Sequence, residues 1–120
     1  MSRGPKPRRA LKAAIPVAEQ RGKVQMPERS PESLYDFMII CTIPVAFVRV
    51  KFAPRILLSL AEIAMEFREA IILLRAVTHD TPVSRELWLC SKHGTLRYFR
   101  IIADSLVELG RDGRPLAGEN

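Results

Sequence analysis

The chain is 120 residues long, 48% apolar, and carries a formal charge of +6. That length suits one domain, which can remove about two-thirds of its unfolded surface from water without disulfides or metals. No segment resembles a helical membrane span: the longest apolar stretch, residues 37–48, is interrupted by Thr42 and Pro44 and falls short of the ~20 residues such a span needs.

Residues 1–29 hold eight basic side chains against two acidic ones, so the whole +6 surplus sits there, and residues 30–120 balance at zero. Prolines 5, 7, 16, 27 and 31 recur too often for a long helix. Residues 1–33 are therefore predicted to be a basic, flexible, largely irregular arm, with a short amphipathic turn at 11–18 limited by Pro16. The arm lacks the apolar core of a secretory signal. Being Arg-rich and acid-poor it also fits an organelle transit segment, against which its scarcity of serine counts. Cys41 and Cys90 sit in apolar stretches without CxxC spacing and read as free buried thiols in a reducing compartment. A cytoplasmic location is the expectation.

The folded body is predicted over residues 34–110. Two runs rich in branched and aromatic residues, 35–41 and 45–52, are joined by only three residues and read as antiparallel strands covered on both faces. Pro54 suits a helix first turn, and Arg55, Ser59, Glu62, Glu66 and Glu69 then form one polar stripe opposite a broad apolar face. This predicts one long helix reaching about Val77. Two further strands, 83–90 and 95–102, flank a turn with Gly94 placed for a positive φ, and 105–109 adds a short last strand. Residues 111–120 read as a flexible tail. The predicted fold is α/β, bordering on α+β: a small mixed sheet in the order β-β-α-β-β backed by one helix.

Asp36 opens the first strand of this body, and Arg49-Val50-Lys51 closes the second. Alternation puts Arg49 and Lys51 on one face. Charges at the end of a buried strand are costly unless exposed, paired or functional, and a salt-bridged sheet end is the plain reading. An Asp early in one strand, a neighbouring strand ending x-x-Lys, then a long helix and another strand also resembles the PD-(D/E)xK nuclease-like superfamily. The resemblance covers residues 34–102 and rests on Asp36 and Lys51. It implies a restriction-endonuclease-like fold in which Asp36 and a second acid would hold Mg²⁺ and Lys51 would position the attacking water.

The departure is at position 49. Where the family has Glu or Asp, Arg49 stands, and a guanidinium cannot ligate a cation. Tyr35 also replaces the family's proline. The expectation is a degenerate, inactive core without a cofactor, with Asp36 and Lys51 as vestigial catalytic residues. In an alternative, Glu62 or Glu66 on the helix supplies the missing acid and the protein is an Mg²⁺-dependent endonuclease. The bland reading of both glutamates is a solvated stripe.

Basic and aromatic residues on the second hairpin suit nucleic-acid contact, although parity splits them: Tyr98 and Arg100 share one face, Arg97 and Phe99 the other. Trp88 and Phe99 read as core, while Arg85, Lys92, Arg97 and Arg100 read as a basic rim. His79 and His93 are isolated, which argues against zinc. The leading expectation is thus a nucleic-acid-associated protein that contacts DNA backbone through Arg3, Lys6, Arg8, Arg9, Lys12, Arg49, Lys92, Arg97 and Arg100. The third reading is a homodimeric interaction module whose seam is the apolar surplus at Ile71, Ile72, Leu73 and Leu74.

Overall fold

A computed structural model describes residues 8–27 and 34–116, with Arg8 described by its backbone only. Arg3 and Lys6, the Arg8 side chain and residues 117–120 of the tail lie outside the described residues.

The chain runs α1 (Arg8–Arg21), β1 (Lys23–Gln25), β2 (Phe37–Ile40), β3 (Val45–Phe52), α2 (Leu60–Glu66), α3 (Arg68–Arg75), β4 (Val83–Cys90), β5 (Leu96–Ile101) and β6 (Leu106–Leu109). The six strands form one mixed sheet in sequential order. Every neighbouring pair is antiparallel except β3 and β4, which run parallel. A parallel pair needs a long crossover, and α2 with α3 supplies it. The result is an α/β protein, with helices on both faces of the sheet.

Two expectations about the helices need correction. Within the stretch expected to be a largely irregular arm, residues 8–21 form a 14-residue helix with Pro16 inside it. Ala10, Ala14, Val17 and Ala18 recur on one stripe and are buried against Phe37, Ile39, Val48, Val50 and Trp88. Three alanines on that stripe let the helix lie close to the sheet, and the packing outweighs the hydrogen bond that Pro16 cannot donate. The folded body therefore begins well before residue 34. It also continues past 110, because Pro115 bridges back to Leu109.

The helix expected from Pro54 to Val77 is two helices. Residues 53–59 are irregular, and α2 starts only where Ser59 caps it. Phe67, at φ −110° and ψ 28°, separates α2 from α3. Hydrogen bonds from Phe67 N–H to Ile63 O and from Ile71 N–H to Phe67 O keep the two segments in register. The apolar surplus at 71–74 is mostly absorbed. Ile71 and Leu74 are buried in the second core, with Ile63, Leu87, Leu89 and Phe99, and Ile72 is the one well-exposed residue of the four, at 54%.

The strand predictions hold closely. β3 and β4 have the expected bounds, and β2, β5 and β6 start one or two residues later. The short β1 was not foreseen, so the order β-β-α-β-β becomes α-β-β-β-α-α-β-β-β. Both central strands are covered on both faces, which explains their nearly unbroken hydrophobicity. The turn between β4 and β5 is built as the sequence suggests: Gly94 has φ +87°, and Ser91 Oγ accepts from the N–H groups of His93 and Thr95.

Candidate functional site

Strand parity separates the two faces of the sheet. Phe37, Val48 and Val50 point to α1, so Asp36, Arg49 and Lys51 belong to the face under α2 and α3. Extending the β2–β3 register by one residue, from Phe37 opposite Val48, sets Asp36 across from Arg49. Both are buried, at 6% and 7% exposure, while Lys51 is half-buried. The three side chains thus share one face, as the sequence indicated.

They do not share one open cleft. Asp36 N–H donates to Val48 O, and Asp36 Oδ2 accepts the Val50 N–H at 2.7 Å. Since β2 begins only at Phe37, this carboxylate takes the place of a strand partner and satisfies an amide that the ladder leaves over. Lys51 instead lines a cleft of about 430 Å³ with Phe52, Phe67, Ala70 and the glutamates 66 and 69.

Glu62 is the acid the helix cannot offer. Its Oε1 accepts the Ser59 N–H at 2.9 Å while its own N–H donates to Ser59 Oγ, a reciprocal cap at the start of α2. These bonds hold its carboxyl below the ordinary value of 4.5; the Ser59 backbone N–H has the largest effect and the Ser59 hydroxyl the next. Glu66 meets Arg55 in an exposed ion pair at 3.3 Å. It also lines the cleft that holds Lys51.

The donor set does not fit a divalent cation. Asp36 is a lone carboxylate already bonded to a backbone amide, and a guanidinium stands across from it. Among the described residues no three His, Cys, Asp or Glu side chains converge.

The second hairpin is built into the fold. Trp88 and Phe99 are wholly buried as expected, and Tyr98 is buried as well, edge-on to Trp88 with ring centroids 4.9 Å apart. Arg97 and Arg100, read from sequence as phosphate contacts, are held by internal partners. Arg97 makes a two-pronged pair with Glu108 at 2.8 Å and donates to the carbonyls of Ile56 and Leu58. Arg100 donates to Ser84 Oγ and to Gly113 O. Arg97 is thus paired with an internal carboxylate, whereas Arg100 is held by a hydroxyl and a carbonyl and keeps its charge. Lys92, Arg9 and Lys12 are exposed.

One feature escaped the sequence reading. Glu86, with 0% exposure in the middle of β4, receives both Nη groups of Arg21, at 2.8 and 2.9 Å, Ser84 Oγ at 2.7 Å and Trp88 Nε1 at 2.9 Å. The Arg21 guanidinium packs into a space kept by Gly113, where a Cβ would come within 2.6 Å of its Cζ. A glutamate amid an apolar strand was a readable demand for a partner. The sequence hides the partner, because Pro16 and the neighbouring prolines make the α1 stretch read as irregular chain.

Compared with family models, with curated proteins and with solved structures, the chain matches none of them.

Proposed function

We propose that this protein is a nucleic-acid-associated domain with a catalytically silent, nuclease-like core. The observation that carries the reading is Arg49, buried across from Asp36 and on the same face as Lys51, at the position where the resemblance requires a metal-binding acid. The strand order supports it: the Asp-bearing β2, the Lys-bearing β3, a helical crossover and a parallel β4 follow in the sequence that the resemblance calls for. A role in binding is supported by the charge surplus of the first 29 residues, of which Arg9, Lys12 and Lys23 are solvent-exposed.

Duplex DNA binding, followed by fluorescence anisotropy over a range of salt, tests the binding half. The logarithm of affinity should fall against log salt by ~0.9 for each phosphate neutralised. Deleting the whole basic segment would remove α1 from the core, so the informative variant removes residues 1–7 and carries Arg9→Gln and Lys12→Gln. It should bind with a visibly shallower slope, and an unchanged slope would count against the reading. Incubation with Mg²⁺ or Mn²⁺ tests the silent half. Cleavage that disappears in both Asp36→Ala and Lys51→Ala would replace it with an active nuclease.

A further inference from the structure

A second cationic site lies at the other end of the sheet. Arg85 sits across from Phe47 near the start of the parallel pair, whereas Lys51 sits across from Leu89 near its end. Four residues of strand separate the two levels, ~13 Å. There Arg75, at the end of α3, and Arg85 line a cleft of about 330 Å³ with Ile101, Ile102 and Ala103.

Carbonyl oxygens aim both guanidiniums. Arg85 Nε and Nη2 donate to Val77 O, the former at 3.1 Å, and Arg75 Nη2 donates to Ile102 O at 3.2 Å. A carbonyl fixes a guanidinium without neutralising it, and each fork has five N–H donors, so donors remain on both. Among the described residues neither arginine forms an ion pair, in contrast to Arg21, Arg55 and Arg97. Asp104 lies with Arg68 and Arg75 in the adjoining groove, leaving three guanidiniums to one carboxylate in this neighbourhood. Two like charges held in one cleft repel each other unless an anion joins them, and an apolar wall strengthens any pairing made there. The planar forks match the paired oxygens of a phosphate.

We infer that the Arg75–Arg85 cleft binds a phosphate group of the nucleic-acid backbone, a contact that rests on the proposed binding role and supplies it with positioned donors in place of Arg97. The test is the salt dependence of duplex DNA binding for Arg75→Gln, Arg85→Gln, the double variant and the charge-preserving Arg75→Lys/Arg85→Lys protein. Each glutamine should lower the slope by ~0.9, and the lysine pair should keep most of it. Arg75 is exposed, so its single variant decides the matter should loss of the Arg85 bonds to Val77 O impair folding. Wild-type protein that binds DNA with a slope no substitution moves overturns this site and leaves the binding role standing. Wild-type protein that binds no DNA even at low salt overturns both. Inorganic phosphate added at constant ionic strength separates the sources. Heat stabilisation of wild type but not of the double variant, with an unchanged DNA slope, would assign the cleft to a free phosphate and overturn the backbone assignment.

Discussion

Asp36 carries the resemblance to a nuclease and also a structural duty, and the two separate by substitution. Asp36→Ala leaves the Val50 N–H buried without an acceptor and should cost about 1–3 kcal/mol in urea unfolding; Asp36→Asn retains an oxygen and should cost less. Glu86 is the more dangerous position. Glu86→Leu strands the Arg21 guanidinium at 10% side-chain exposure, and should destabilise by about 3–5 kcal/mol. Adding Arg21→Leu should recover part of that loss, and a double-mutant cycle measures how much. The thiols differ too, against the expectation that both are buried. Cys41 is exposed, whereas Cys90 is buried and its thiol is pushed up by that burial, so a thiol reagent should label one group in native protein and a second only after denaturation. Glu62 has a depressed folded-state pKa. Its cap should therefore contribute fully above pH 4.5 and weaken as the pH falls through the lower folded value, a dependence that Glu62→Gln should remove from melting curves.

At the scale of elements, hydrophobic runs identified β3 and β4 to the residue because both faces of those strands are covered, and no alternation was needed to find them. The helices were harder. Pro54 and the polar stripe suggested an early start, yet the capping pair Ser59–Glu62 sets the N-terminus six residues further on. The first helix was hidden by its own prolines and by its reliance on packing, since an alanine stripe of four buried residues has little hydrophobic signal by itself. Pro16 remains a local fault in α1: it is exposed, and it leaves the carbonyl of Lys12 without its helical donor. Pro16→Ala should accordingly raise the melting temperature, by a stabilisation on the order of 1–3 kcal/mol if the helix packing is unchanged. The candidate site was legible in part. Parity gave the common face of Arg49 and Lys51, but the position of Asp36 and its separate surroundings depend on where β2 begins and on the helical wall, which no spacing rule records.

For the whole molecule, Arg97 is neutralised inside by Glu108, whereas Arg75, Arg85 and Arg100 are held by carbonyl or hydroxyl oxygens and, among the described residues, form no ion pair. Composition counts charges; only tertiary neighbours show which of them are already neutralised. The clamp between Arg21 and Glu86 has a further implication, for how the molecule is made. The two residues are 65 positions apart, and the space beside the clamp is set by Gly113 near the end of the described chain. During synthesis the first helix must therefore leave the ribosome long before the Glu86 and Gly113 part of its seat exists. A basic amphipathic segment would wait undocked until the last hairpin emerges, and chains halted before residue 86 should hold it in a protease-sensitive form.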